Sequence, residues 1–321
     1  MNLRIREFLE TPEDFASVVE IDNACDPEHP STMKEFRYNY EHFDRKRYVL
    51  RYYLGEKTGR IVGYACYHHM PHRFDPQRFW IWVAVRPEFR RQGIGSALYE
   101  KSLADVRGIS ARFLHTSVRE TWPESLHFLE RRGFREAMRT WESHLDLTSF
   151  DPQPFEPYLV RTEKTGVSFL TLSEARKQDP QWLHKVHELH NTLMADVPSP
   201  TPFTPLDLPE FQNRFLGNPH LLWDGYFLAK KGEEYVGESF VFRVPAQPGH
   251  LIQGFTGVRR EFRGQGLAMA LKLRVITYAK EHGYTLIMTW NASTNRTMLT
   301  INGKLGFVRK PAWIEHELSL P

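Results

Sequence analysis

The chain has 321 residues, enough for two domains of ordinary size. Charged residues make up 25% and hydrophobic ones 41%, which excludes an intrinsically disordered chain and predicts a globular one. The formal net charge is only +3 and basic clusters such as Arg45-Lys46-Arg47 are short, so nucleic acid is not an expected partner.

No apolar run approaches the roughly 18 residues that cross a bilayer. The segment MNLRIREFLE carries no signal-peptide h-region. A cytoplasmic protein without a membrane partner is therefore expected. Cys25 and Cys66 are too few for a disulfide framework or a four-ligand zinc site. They read as buried thiols, and no metal is expected.

In chain order, TPEDFASVVEID (11–22) predicts a helix capped by Thr11 with Pro12 in its first turn. YVLRYYLG (48–55), IVGYACYH (61–68) and FWIWVAV (79–85) predict strands by length, period and β-branched or aromatic content. HHMPH (68–72) falls at a strand end, as a loop near a substrate entrance or simply exposed. EFRRQGIGSALYE (88–100) follows the third strand and opens a helix, and LERRGF (129–134) leads to a last strand. TSFDPQPFEPYL (148–159), with three prolines in six residues, cannot continue a strand ladder and marks the joint between halves.

Beyond the joint the order repeats. QWLHKVHELHNTLM (181–194) predicts a helix on which His184, His187 and His190 spread over half the circumference, a wet face rather than a metal site. DVPSPTPFTPLDLP (196–209) predicts a fixed flap or a surface strap. YFLAKKG, YVGESFVFRV and LIQGFTGV are strands, LAMALKLRVITYAKEHG (267–283) is a helix, TLIMTW is a strand, and a short helix closes at Gly306. VRPEFR (85–90) recurs 173 positions later as VRREFR (258–263), as does Gly133-Phe134 as Gly306-Phe307. A repeat this long is a tandem pair rather than a solenoid. The expected fold is α+β, with two duplicated domains at 1–150 and 161–321 and a linker at 151–160. Each has a central, mostly antiparallel sheet flanked by helices.

A strand followed by Arg-x-x-Gly-x-Gly/Ala and a helix gathers unpaired backbone N–H groups at the positive end of a helix dipole. Glycine allows close approach and arginine adds a charge, so a pyrophosphate is the expected ligand. No G-x-x-x-x-G-K-[ST] loop is present, and Leu98 and Met269 occupy the places where a dinucleotide fingerprint needs a third small residue.

Val-x-x-x-x-Arg-x-x-Gly-x-Gly/Ala before a helix resembles the acetyl-CoA motif of the GNAT (Gcn5-related) N-acetyltransferases, in a tandem layout similar to mycothiol synthase. The resemblance implies a pyrophosphate held by Arg90, Arg91, Gln92, Gly93, Ile94 and Gly95 in the first half. In the second it implies Arg263, Gly264, Gln265, Gly266, Leu267 and Ala268. Val85 and Val258 would end strands that pair with the pantetheine arm, an N–H near Val258 would polarise the thioester, and Asn295 would bond the coenzyme from the opposite wall. The cosubstrate implied is acetyl-CoA and the acceptor a small-molecule amine.

Two departures from the family pattern matter. Where many members place a proton-donating tyrosine, this chain has Leu129 and Asn302. No carboxylate lies on the strands before the two valines. Gln253 stands near the usual place, and Glu238, on the preceding strand, is the nearest candidate base, unless it is a solvated or ion-paired strand residue. The second half, with Asn291, Asn295 and Asn302, is the better equipped for chemistry, leaving coenzyme binding or a scaffold role to the first. The alternative is a non-catalytic acetyl-CoA-binding sensor or scaffold.

Overall fold

The computed structural model describes residues 3–321. The chain runs β1 (Arg4–Glu7), α1 (Pro12–Cys25), α2 (Met33–Glu41), β2 (Leu50–Lys57), β3 (Arg60–His68), β4 (Arg78–Val85), α3 (Ile94–Gly108), β5 (Phe113–Arg119), α4 (Pro123–Glu130) and β6 (Arg135–Asp146). It continues with α5 (Glu156–Glu163), β7 (Val167–Thr171), α6 (Leu172–Gln178), α7 (Trp182–Met194) and α8 (Leu208–Glu210), the last running into a π-helical turn at Phe211–Leu216. Then come β8 (Phe227–Lys231), β9 (Glu234–Arg243), β10 (His250–Val258), α9 (Leu267–Glu281), β11 (Leu286–Ala292), α10 (Arg296–Lys304), β12 (Val308–Arg309) and β13 (Trp313–Ser319). Among the described residues no helix is long and apolar enough to cross a membrane.

Two compact units form, Met1–Ala137 with Ile314–Pro321, and Met138–Trp313. The expected boundaries at 150 and 160 fall inside the second unit. The difference arises because the last strand of each sequence repeat completes the sheet of the other repeat: β6 pairs with β11, and β13 lies beside β5. A local proline signal carries no information about which sheet a strand will complete. The expected linker is also structured, since Glu156–Glu163 forms α5, which packs on α9.

In the first unit the strand order is β1-β2-β3-β4-β5-β13. Alternating side chains of these strands feed two apolar layers. Val62, Leu98 and Leu114 belong to the layer under α3, and Val18, Ile21 and Leu54 to the layer under α1. Cys66 is buried and its thiol is pushed up to about 12 by burial, as an inert thiol should be. β13 is fastened by ions as well as by its ladder. Arg73 donates twice to Glu315, at 2.7 and 3.1 Å, and His115 Nδ1 lies 2.9 Å from the same carboxylate. His115 Nε2 and Arg78 meet Glu317 at 3.1 and 2.5 Å.

In the second unit the order is β6-β11-β10-β9-β8-β7, with β12 on β6. α9 covers one face of β8–β10 and α7 the other. α9 is apolar on most of its circumference, with Leu267, Met269, Leu271, Val275 and Ile276 all buried, and so becomes the central helix of this unit.

Burial would raise the Glu315 carboxyl, but the His115 and Arg73 bonds outweigh it and hold the group below its ordinary 4.5. A depressed folded value stabilises above the unfolded pKa and is lost as pH falls through the folded one. Glu315→Gln is expected to cost about 3 kcal/mol at pH 7, with the cost shrinking as the pH is lowered below the ordinary value. Urea melts across pH check this, and a pH-independent difference would contradict the ion-pair account.

Candidate coenzyme and acyl-transfer sites

Each site begins with a strand pair that forms and then separates. β4 and β5 are parallel partners only over Arg78–Trp80 and Phe113–His115. β10 and β11 pair only over His250–Ile252 and Leu286–Met288. Beyond those three residues the edge of β4 from Ile81 to Val85, and of β10 from Gln253 to Val258, has no strand partner on that side among the described residues. Such an edge offers alternating N–H and C=O groups to an extended ligand.

At the end of each free edge the chain enters the glycine loop of the motif. Arg91 (φ 61°) and Gly93 (φ 80°) are left-handed in the first unit, as are Gly264 (φ 77°) and Gly266 (φ 87°) in the second. Left-handed residues two apart turn successive N–H groups into one concavity, an anion nest. The first helical bonds are Ala97 N–H to Gly93 and Ala270 N–H to Gly266, both 3.0 Å, so the donors ahead of them have no helical acceptor. The third motif position accepts either small residue for a visible reason. A Cβ on Gly95 would come no nearer than 3.6 Å to Val85, and the second unit has Ala268 there.

The motif arginine works differently from the expectation of a charge on the ligand. Arg90 Nε donates to the Val85 carbonyl at 3.2 Å, and Arg263 Nε to the Val258 carbonyl at 2.9 Å. That bond explains the five-residue spacing from valine to arginine: the side chain pins the loop to the strand that feeds it. In the second unit the outer nitrogens of Arg263 and Arg260 both grip Asp196, at the start of the proline-rich segment. Their bonds hold its carboxyl down at about 2, against the opposing effect of burial. Asn191 fastens the other end of that segment, accepting from Leu206 N–H at 3.1 Å and donating to its carbonyl at 3.0 Å.

The first unit's splay opens into a cavity of about 900 Å³. It extends from Arg90–Gly95 along β4 to β5 and α4, with Trp82, Tyr99, Ser117 and Phe128 on its walls. In the second unit β10 carries a bulge that β4 lacks. Gln253 pairs with Val241 and Phe255 with Phe240, leaving Gly254 as the extra residue. Only glycine fits there, since a Cβ would meet Phe240 at 2.4 Å and Phe242 at 2.7 Å.

The two catalytic candidates do not meet. Gln253 points to the α9 side of the sheet, where its amide donates to Ser239 Oγ (2.9 Å) and Thr256 Oγ1 (3.0 Å) and accepts from Lys272. Glu238 points to the α7 side and is fully buried, with His190 Nδ1 at 2.8 Å from one oxygen and the Tyr226 hydroxyl donating to the other. Both Glu238 oxygens are therefore hydrogen-bonded between β9 and its neighbours. His190 is correspondingly not on a wet face, because α7 turns it inward onto β9. The first unit ties helix to strand similarly, with Tyr64 donating to Asp22 on α1 at 2.5 Å. Burial raises that carboxyl to about 6 despite the bonds from Tyr64 and Trp82. Asn295 caps α10, its Oδ1 accepting from Met298 N–H at 3.2 Å, so this oxygen is committed to the helix. Asn302 is buried beside Asn291, to which it donates at 2.7 Å, and its Oδ1 has no partner.

A strand pair that splays beside a left-handed glycine loop and a helix recurs in both units and defines a tandem α+β fold. Residues 15–134 and 186–307 match the acetyltransferase (GNAT) family, and the chain belongs to that family. Curated relatives named mycothiol acetyltransferase include one from Salinispora arenicola, 26% identical over 265 residues, covering 81% of this chain and 79% of that one. Another, from Thermobifida fusca, is 23% identical and covers 92% of each. Among solved structures, a tandem GNAT protein from the clavulanic acid biosynthesis pathway aligns with a TM-score of 0.78 at 19% identity, over 99% of this chain and 98% of its own. A GCN5-related N-acetyltransferase from Sphaerobacter thermophilus gives 0.72 at 18%, over 99% and 95%. The family transfers acetyl groups and generally uses acetyl-CoA.

Replacing Arg263 by lysine separates a pin from a charge. Lysine keeps the cation but has no Nε–H placed for the Val258 carbonyl. With the first site disabled by Gly93→Glu, Arg263→Lys is expected to weaken acetyl-CoA binding about tenfold, near 1.4 kcal/mol. Calorimetry giving undiminished affinity would return the arginine to a purely electrostatic role.

Proposed function

We propose that this protein transfers the acetyl group of acetyl-CoA to the primary amine of a small molecule, with the chemistry in the second unit. The observation that carries the assignment to this unit is the bulge at Gly254 on the free edge of β10. It removes one residue of β10 from the β9 ladder within the stretch that an extended pantetheine arm would follow from the phosphate nest. In this reading the nest over Arg263–Ala268 holds the pyrophosphate and the edge ending at Val258 pairs with the arm. A β10 N–H polarises the thioester carbonyl. The amine nitrogen attacks that carbon, the C–N bond forms, the C–S bond breaks, and the thiolate leaves as a thiol after protonation. The first unit, with its open cavity and matching nest over Arg90–Gly95, serves as a second coenzyme-binding site.

One observation favours a second reading, an acetyl-CoA-binding sensor or scaffold. Leu129 and Asn302 stand at the proton-donor positions, and Glu238 is enclosed by His190 and Tyr226. Turnover of acetyl-CoA with a panel of antibiotic, amino-acid, polyamine and thiol-precursor amines, followed as free thiol, separates the readings. Binding without turnover across the panel favours the sensor.

Division of labour is tested by matched charges. Gly266→Glu sets a side chain and a negative charge against the pyrophosphate and is expected to abolish turnover, while Gly93→Glu leaves most of it. The reverse pattern moves the chemistry to the first unit. Glu238→Gln tests the remaining base assignment. With both oxygens committed, the variant is expected to lose a few kcal/mol of stability and to keep kcat/KM within roughly threefold. A 100-fold fall in a folded variant, with loss of the acidic limb of the pH–rate profile, would restore Glu238 as the base.

A further inference from the structure

Lys272 is a buried cation in an apolar helix. It lies between Leu271 and Leu273 on α9 and is 1% exposed. Its amino group donates to Gln253 Oε1 and sits 4.9 Å from the centre of the Phe307 ring. An ammonium has three donors, and no carboxylate among the described residues pairs with this one. Burial without a counter-charge lowers its pKa to about 7.

Its position connects it to the splay. Gln253 is the first residue of β10 beyond the stretch paired with β11, so Lys272 is held at the closed end of the separating strands. In the first unit the residue six places after the left-handed glycine is Tyr99, and Tyr99 lines the cavity. Elsewhere in the unit the buried Asn302 Oδ1 has no hydrogen-bond partner among the described residues. The Lys272 ammonium thus has one amide acceptor and no counter-charge beside Phe307. An uncompensated buried charge is costly, and it is relieved when an anion reaches it.

The edge from Gln253 to Val258 is about 16 Å long at the usual rise per residue. With its pyrophosphate in the nest at the Val258 end, a thioester laid along that edge directs its acyl chain toward Gln253 and Lys272. We propose that the second unit accepts acyl thioesters whose chain ends in a carboxylate, such as a succinyl group, and that Lys272 recognises this carboxylate. The proposal rests on the reading of the second unit as an acyl-transfer site. Gln253, locked by Ser239 and Thr256, then fixes the ammonium in place.

The test is calorimetry on the full chain with the first site disabled by Gly93→Glu, using acetyl-CoA, butyryl-CoA and succinyl-CoA at pH 7. Succinyl-CoA is expected to bind about tenfold tighter than butyryl-CoA, an uncharged chain of the same carbon count. Lys272→Met should erase the difference while leaving butyryl-CoA affinity within about threefold. Lys272→Gln serves the same purpose if the methionine variant does not fold. Butyryl-CoA binding as tightly as succinyl-CoA overturns the proposal, as does a preference that survives both substitutions. In those cases acetyl-CoA binding leaves the second unit's transfer role intact, whereas failure to bind any thioester overturns both.

Discussion

An unfinished strand pair is the constraint on which the rest of the structure depends. Parallel pairing that stops after three residues leaves a backbone edge whose donors and acceptors need partners from elsewhere. Everything around that edge is arranged to keep it open. The phosphate loop turns away at its end through two left-handed residues, and the motif arginine ties the loop to the strand's last carbonyl. The helix that follows then covers the sheet from one side. Valine and arginine form one mechanical unit, because the 3-10 turn between them, Pro87–Phe89 or Arg260–Phe262, brings the arginine back to the valine carbonyl, and the left-handed turn follows from there.

Duplication preserved this unit and released the walls around it. Trp80, Tyr99 and Leu129 of the first splay correspond to Gln253, Lys272 and Asn302 of the second. The first set is apolar or aromatic, and Tyr99 and Leu129 line a cavity. The second is polar, buried and partly unsatisfied. Polar groups in such a place are expensive unless a ligand completes them. The loops alone therefore do not distinguish the two units; their walls do.

Much of this was legible in the sequence. The strands before each glycine segment and the helices after it follow from period and flanking glycine, because they bury one face or both and carry a strong pattern. The short edge strands β1 and β7 left little signal, since a strand of four or five residues at a sheet edge needs no run of apolar residues. The exchange of β6 and β13 was invisible for a different reason. Strand sequence specifies which face is buried, whereas the choice of sheet is made by partners such as His115 and Arg73, which are far away in the chain. The sequence places Glu238 one strand from the motif, and only its contacts with His190 and Tyr226 show that it faces α7. Lys272 had a readable signal: a lysine flanked by Leu271 and Leu273 in a helix that is apolar on most sides has no wet face to occupy.

Asp196 carries the contrast between the units to the phosphate loop itself. In the first unit the corresponding helix end presents Cys25, whose thiol lies 3.4 Å from the Val85 carbonyl and adds no charge. In the second, a carboxylate is clamped by Arg260 and Arg263, and its depressed pKa shows that those two cations are already engaged. Under the proposed function, a pyrophosphate at Gly264–Ala268 meets backbone donors and a helix dipole, but arginines that are partly neutralised. The same two arginines anchor the proline-rich segment, whose far end Asn191 holds on α7. One pair of guanidinium groups thus serves both the loop and the strap, since Arg263 pins the loop to the Val258 carbonyl while it and Arg260 hold Asp196.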